Sequence, residues 1–411
     1  MLIGNAVVGQ AGGPTAAITA TLAGVIRGAL EAECIGKVYG MRNGIEGFME
    51  KRVISLDGIF EDENKLKLLE QTPAAALGSC RRKLPDPESD DAKDVEFYNK
   101  LFSVIDELDI KYFFYIGGND SMDTVKKMSI YAKKVHKDIR IIGVPKTIDN
   151  DLTMTDHTPG FGSAAKYIAT TVREIIRDCS VYTVRAVTVV EIMGRDAGWL
   201  TASSAIGRVV DGIAPDYVYL PERAFDMESF FADIEKAFEK HPDVVVAVSE
   251  GLQFADGRYV GEGTQSGVAD AFGHKYLAGT GKALEMAIKE KFGCKVRSVE
   301  LNLPQRCAGH LLSLTDIEES VRIGREAVAL AVSGGSGEMM VFVREEGDIY
   351  HCRVDHRSVM GIANSTRYVP DEFINDENNN VTDSCCEYLL PLIDGEYPTM
   401  FYNGLPAHII L

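Results

Sequence analysis

The chain alternates short, continuous apolar runs with longer stretches of helical period, each pair separated by a loop rich in glycine and polar residues. Runs of that length bounded by turn residues predict strands buried on both faces. The clearest are Ala6 to Val8, Tyr112 to Ile116, Ile139 to Val144, Ala186 to Ile192, Val244 to Ser249 and Glu338 to Val343. Helices are predicted over Thr15 to Leu30, Ser121 to Val135 and Ala164 to Arg177, with another opening near Trp199. Strands alternating with helices in this way predict an α/β fold with mostly parallel sheets covered by helices on both faces. A second series of strand, loop and helix begins near residue 155, where a domain boundary is expected.

Each strand hands the chain through a loop to a helix N-terminus, which carries free N–H groups and a partial positive charge suited to phosphate. In open α/β sheets the loops at the strands' carboxyl ends converge on the ligand crevice. The densest chemistry lies in Pro145-Lys146-Thr147-Ile148-Asp149-Asn150-Asp151, immediately after an apolar strand that Pro145 terminates. Asp149 is a candidate general base, Asp151 a candidate hard-oxygen ligand for a divalent ion, and Lys146 a point charge for phosphate. The same residue types also make ordinary solvated turns.

Other loops add to this one. Gly9, Gly12 and Gly13 join the first strand to the first helix and let backbone amides approach an anion, although the spacing G-x-x-x-x-G-K-[ST] occurs nowhere. Arg81, Arg82 and Lys83 place three cations behind a glycine turn. Asn119 and Asp120, after Gly117-Gly118, suit magnesium ligation directly or through water, and equally suit a helix cap. Met193-Gly194-Arg195, Glu250, Arg306 and His310 offer a carboxylate for sugar hydroxyls and cations for a sugar phosphate.

With 411 residues, 45% of them hydrophobic, the chain can build two or three domains with sizeable cores. Its formal charge of -18 repels nucleic acid and anionic membranes, so neither is an expected partner, and any anionic ligand must meet a local basic patch. Eight cysteines without a C-x-x-C pair point to reduced thiols and a cytoplasmic setting. Residues 1 to 30 read as strand, glycine loop and helix rather than as a secretory signal, and no apolar run approaches the ~18 residues of a membrane span. Gly160 to Ala165 match G-x-G-x-x-A but follow no strand. His351, Cys352, Asp355 and His356 look metal-like, yet strand alternation sends the two histidines to opposite faces. Residues 85 to 94 and 370 to 387 are polar and turn-rich.

Taken in order, Gly12-Gly13, Gly78-Ser79-Cys80-Arg81, Gly117-Gly118, Thr147-Ile148-Asp149-Asn150-Asp151, Met193-Gly194-Arg195, Glu250 and Gln305-Arg306 resemble the phosphofructokinase family, from the first strand to about residue 330. The resemblance implies two similar Rossmann-like domains with the active site in the cleft between them. It implies glycolytic phosphoryl transfer to the 1-hydroxyl of fructose 6-phosphate, with Mg2+ as cofactor. Asp149 matches the family's base; Thr147, Ile148, Met193, Gly194, Arg195 and Glu250 match its sugar-binding set, and Arg306 a 6-phosphate ligand. Arg81 matches an arginine spanning both phosphates. Arg185, one residue out of step, corresponds to an arginine often supplied by a neighbouring subunit, so a homodimer or homotetramer is expected. His310 stands where the family commonly binds phosphate.

Two departures bear on the donor. ATP-using members usually read Gly-Gly-Asp-Gly-Ser where this chain has Gly117-Gly118-Asn119-Asp120-Ser121, and usually carry glycine at Lys146. In the family, an aspartate like Asp120 crowds the ATP α-phosphate and a lysine like Lys146 marks use of pyrophosphate. A carboxylate ~4 Å from a phosphate charge costs on the order of 1 kcal/mol in water and about 4 kcal/mol at an effective dielectric of 20, so ATP is disfavoured by about ten- to a thousandfold. The alternatives are an ATP-dependent or mixed-donor enzyme of this fold, and a noncatalytic sugar-phosphate-binding subunit. The expected organisation is a phosphoryl-donor domain over 1–155, rejoined by about 310–350, a fructose 6-phosphate domain over 156–309, and a C-terminal extension over 351–411.

Overall fold

The computed structural model describes residues 2–262, 279–347, 349–361 and 365–411. Among the described residues, beside a two-stranded ribbon of Phe401–Tyr402 and Leu405–Pro406, eleven strands build the two main sheets: β1 (Gly4–Gln10), β2 (Ile35–Met41), β3 (Val53–Ser55), β4 (Ile110–Gly117), β5 (Arg140–Pro145), β6 (Ala186–Ile192), β7 (Tyr217–Tyr219), β8 (Asp243–Ser249), β9 (Lys295–Glu300), β10 (Glu338–Arg344) and β11 (Cys352–Ser358). The larger sheet has the order β11-β10-β5-β4-β1-β2-β3, and the smaller β7-β8-β6-β9. Pairing is parallel from β10 through β5, β4 and β1 to β2. Only the edge strands β3 and β11 of that sheet run antiparallel. The smaller sheet is parallel throughout. The α/β fold with mostly parallel sheets expected from the apolar runs is therefore present.

The strands predicted from continuous apolar runs are those buried on both faces, with Val7, Val8, Phe113, Phe114, Ile141, Ile142, Val189, Val190, Val246 and Val341 all inaccessible. Strands without a prediction include the polar edge strand β9 (Lys-Val-Arg-Ser-Val-Glu), the three-residue β3 and β7, and β2 (Ile-Gly-Lys-Val-Tyr-Gly-Met), whose apolar run is broken by two glycines and a lysine. The first helix runs Ile18–Glu31 rather than from Thr15, because Thr15 turns its carbonyl to the amide of Ala74 (3.0 Å) instead of to a helical partner. Residues 370–387 are not all loop: Asp383–Leu389 is helical, and Cys385, Cys386 and Leu389 are fully buried with Trp199 in the core of the second half.

Helix Ile18–Glu31 crosses helix Leu314–Ser333 at Gly24 and Gly324, where a Cβ on either would overlap backbone, at 2.1 Å from Val321 O and 2.3 Å from Thr21 O respectively. Only glycine allows that approach. The chain crosses between the sheets near Asp156, whose amide donates to Phe342 O (2.9 Å). Beside it, His157 is stacked on Phe342 with ring centroids 4.5 Å apart, and its two ring nitrogens meet Asp156 Oδ2 (2.9 Å) and Glu319 Oε2 (2.7 Å). Burial alone would push His157 down, but the two carboxylates overcome that and hold it at about 9. The last residues return to the first half: Gln71 Nε2 donates to Met400 O (2.9 Å) and Ala407 O (2.7 Å), and Ile409 N donates to Thr72 Oγ1 (3.0 Å).

Among the described residues no helix is long and apolar enough to cross a membrane. All eight cysteines are free. Gly160, in the G-x-G-x-x-A match, caps helix Phe161–Cys179 with positive φ (98°) and packs on Thr15, so its role there is geometric. His351 and His356 each face a carboxylate, Glu345 (2.8 Å) and Glu338 (3.5 Å), on the exposed side of the β10–β11 edge.

Candidate active site

Neighbouring strands deliver the chemistry. β1, β4 and β5 lie side by side, so the loops leaving their carboxyl ends meet although they are far apart in sequence. Lys146 continues from β5, its amide donating to Gly117 O (3.0 Å) at the end of β4. Its side chain is only 3% exposed, and Nζ donates to Gly13 O (2.5 Å) in the loop after β1. Burial pushes this ammonium down to about 8, Asp149 and Asp151 pull it back up, and Arg306 and Arg81 press it further down. Groups from three other motifs, Gly13, Arg81 and Arg306, thus act on this lysine together with Asp149 and Asp151 of its own loop.

Asp149 is half-buried, and its amide donates to Thr147 Oγ1 (3.1 Å). Burial and then the neighbouring Asp151 raise its carboxyl to about 7, with Lys146 opposing the rise. A carboxylate near neutrality, on a loop in a cleft, can take a proton from a hydroxyl and release it again. Asn150, between the two carboxylates, adopts the left-handed conformation (φ 55°), which turns the loop sharply. Ile148 is buried in the hydrophobic core that also holds Phe161 and Ile192, so its side chain anchors the loop.

Asp151 faces Asn119, which opens the helix Asn119–Lys134 and donates from Nδ2 to Asp151 Oδ2 (3.3 Å). Asn119 Oδ1 is buried with no hydrogen-bond partner. A carboxylate beside an unsatisfied amide oxygen fits a hard divalent cation, and that orphaned oxygen is the structural argument for one here. Asp120 does not join this pair. It is exposed in the first turn of the helix, with Oδ1 3.7 Å from Lys83 Nζ.

The glycine loop lies between Lys146 and Arg306. A Cβ on Gly12 (φ 77°) would sit 3.5 Å from Lys146 Nζ, and one on Gly13 3.8 Å from an Arg306 guanidinium nitrogen. Side chains at either position would fill the space between the two cations, where an anion would lie. Gly9 plays no such part: it sits within β1, where a Cβ would strike Met41 Sδ at 2.6 Å, and its smallness serves sheet packing.

The second half contributes loops from β6 and β8. Gly194 (φ 123°) donates its amide to Glu250 Oε1 (3.3 Å), and its carbonyl accepts from Ser249 Oγ (2.6 Å). Met193 N donates to Gln305 Oε1 (3.3 Å) in the turn that carries Arg306. Burial and then Asp149 raise Glu250 to about 8, with the Gly194 amide and Arg195 pulling the other way, so Glu250 and Arg195 lie within electrostatic reach of Asp149. His310 is exposed on the following turn. Arg185 is elsewhere: it precedes β6 at the amino end of the strand, with its guanidinium 5.0 Å over Phe238. At ~3.3 Å per residue that is roughly 25 Å along the strand from Met193.

A cleft lined by a near-neutral carboxylate, a buried lysine and arginines from both halves defines an enzyme of phosphoryl transfer. The phosphofructokinase family model matches residues 5–331, and the chain belongs to the phosphofructokinase family. It is 39% identical over 98% of its length to a "pyrophosphate--fructose 6-phosphate 1-phosphotransferase" of Halomonas elongata, covering 94% of that protein. To the Xanthomonas campestris protein of the same name it is 40% identical, covering 100% of this chain and 97% of the other. A crystal structure of the pyrophosphate-dependent phosphofructokinase of Nitrosospira multiformis superposes with a TM-score of 0.88 at 35% identity, over 99% of this chain and 96% of that one. Phosphotransferases of the family generally need a divalent metal.

Proposed function

We propose that this enzyme transfers a phosphoryl group from pyrophosphate to the 1-hydroxyl of fructose 6-phosphate, giving fructose 1,6-bisphosphate and phosphate in glycolysis. The observation that carries the donor assignment is Lys146, buried at the meeting of three strand-end loops with Nζ on Gly13 O. A cation fixed there is placed to neutralise the phosphate that leaves when the bridging bond of pyrophosphate breaks.

In this mechanism Asp149 accepts the proton of the 1-hydroxyl as that oxygen forms its bond to phosphorus. The bridging P–O bond breaks in line, and the electron pair departs with the leaving phosphate toward Lys146 and Arg81. Thr147, Met193, Gly194, Arg195 and Glu250 orient the sugar, and Arg306 with His310 receives its 6-phosphate. The residues suited to Mg2+ are Asp151 and Asn119, with Asp120 at most through water; the ion would draw charge from the phosphate oxygens. Asp120 and Lys83 flank the donor side. The position of Arg185, far from its own cleft, supports a homodimer or homotetramer in which a second copy presents it, and the composition supports a cytoplasmic setting. The two halves serve as donor domain (1–155 with about 310–350) and sugar domain (156–309).

The test is to assay the purified protein with pyrophosphate, ATP and polyphosphate separately, with fructose 6-phosphate and Mg2+. Turnover with pyrophosphate well above that with ATP is expected; a clear ATP preference would defeat the assignment.

A further inference from the structure

Residues beyond 331 lie outside the family match, yet the loop bearing Asp149 and Asp151 is held by one of them. Arg367 donates its backbone N–H to Asp151 O (2.8 Å) and a guanidinium N–H to Asn150 O (3.5 Å). Leu152 pairs with Thr366 in an antiparallel bridge, and the hydroxyls of Thr153 and Ser365 are 2.9 Å apart. Residues 365–367 therefore run beside 151–153 as a short antiparallel partner.

The arginine is itself fixed at its far end. Its guanidinium carbon lies 4.2 Å from the Trp199 ring, its remaining terminal nitrogen donates to Tyr388 Oη (2.9 Å), and Trp199 Nε1 donates to Arg367 O (3.0 Å). Trp199 opens the helix that follows the Met193–Asp196 loop, and Tyr388 Oη lies 3.0 Å from both Asp156 O and Asp156 Oδ1. One side chain thus connects the catalytic loop to the sugar-side helix and to the crossing between the sheets.

The loop needs such support. Asn150 is held in a conformation that costs a non-glycine residue of order 1 kcal/mol, and two carboxylates flank it. Its other ties there are Asp149 N to Thr147 Oγ1 (3.1 Å), Thr158 Oγ1 to Thr147 O (2.7 Å) and to Asn150 Oδ1 (3.5 Å), and Asn119 Nδ2 to Asp151 Oδ2 (3.3 Å). None of these grips the carbonyls of Asn150 or Asp151.

We infer that Arg367 is a positioning residue for phosphoryl transfer, clamping the Asn150 and Asp151 carbonyls so that Asp149 keeps its aim at the acceptor hydroxyl and Asp151 at Asn119. This assigns a part of the C-terminal extension to the reaction, and it rests on the function proposed above. Arg367 touches no reacting atom in this scheme; it acts through the backbone of the loop.

Arg367→Met keeps the backbone donor and an apolar stem against Trp199 while deleting both guanidinium bonds. The expected result is a roughly tenfold lower kcat with KM for fructose 6-phosphate changed less than twofold, because misaim costs turnover more than sugar binding. The Mg2+ concentration giving half-maximal rate should rise severalfold, and amide exchange should quicken over 149–152 but not in β4 or β6. Arg367→Lys, retaining a cation, should fall between wild type and Arg367→Met. Unchanged kcat and exchange in Arg367→Met would overturn the inference, as would a loss of activity that only tracks loss of folded protein with exchange rising throughout. The exchange measurement needs no donor, so it separates the two readings: a wild type without turnover on any donor would defeat the proposed reaction, whereas the clamp stands or falls on residues 149–152.

Discussion

In the function proposed above, the surroundings of Asp120 bound the barrier to ATP that its charge alone can raise. The carboxylate is 47% exposed and lies 3.7 Å from Lys83 Nζ, itself 58% exposed. A unit charge ~4 Å from a phosphate charge is worth about 1 kcal/mol in water and about 4 kcal/mol at an effective dielectric of 20. Exposure and a neighbouring cation place Asp120 near the watery limit, so about 1 to 2 kcal/mol applies, or a five- to thirtyfold handicap for ATP. Asp120→Asn removes the charge and keeps the shape, whereas Asp120→Gly also removes the bulk. With saturating fructose 6-phosphate, kcat/KM for ATP should rise five- to thirtyfold in Asp120→Asn and further in Asp120→Gly. The constant for pyrophosphate should move less than threefold in both. The gain should shrink at high salt, where exposed charges are screened within about 3 Å. No change in ATP use on Asp120→Asn, or a gain beyond a thousandfold, would refute this placement of the charge in a wet environment.

Asp149→Ala should lower kcat by about two to four orders of magnitude with an unchanged melting temperature, since it removes a base and no core contact; full activity would remove Asp149 from the mechanism. Lys146→Met should cost pyrophosphate turnover at least tenfold without destabilising the fold, because a buried cation gives up a desolvation penalty when replaced by an apolar chain; a twofold loss would contradict its part in the reaction. In the proposed mechanism Asp149, at about 7, must be ionised to act and Lys146, at about 8, must be protonated. So kcat/KM of the free enzyme should fall tenfold per unit on the acid side of 7 and again above 8, and a flat profile from pH 6 to 9 would argue against both roles. His157 is raised from 6.5 to about 9, so its stabilisation is complete below 6.5 and vanishes as pH climbs through 9. That is on the order of 3 kcal/mol, which His157→Gln should erase; equal pH dependence of urea midpoints in both proteins would count against the ion network.

The catalytic loop was legible because it is local: Lys146 to Asp151 are contiguous and follow an apolar run that could only be a buried strand. Strand order was not. That Asn119 faces Asp151 depends on β4 lying beside β5, a pairing that no local pattern specifies. Asp120 shows where adjacency in sequence misleads. Its sequence position beside Asn119 suggested a shared metal site, but consecutive residues on a helix point about 100° apart, so one faces the cleft and the other solvent. Gly9 looked like part of an anion loop because glycine signals permissive backbone, whereas here it makes room for Met41 and Tyr115. Arg367 carried no signal at all, being an isolated arginine in a polar stretch more than two hundred residues from the loop it holds.

Trp199 is the only tryptophan in the chain, fully buried and covered by the Arg367 guanidinium at 4.2 Å. The indole emission of the whole protein therefore comes from one ring seated at the joint between the sugar-side helix and the clamp on the catalytic loop. A change in the cation's distance alters that ring's electric field, so the enzyme contains a built-in optical reporter of its own active-site alignment, readable in wild-type protein without a label.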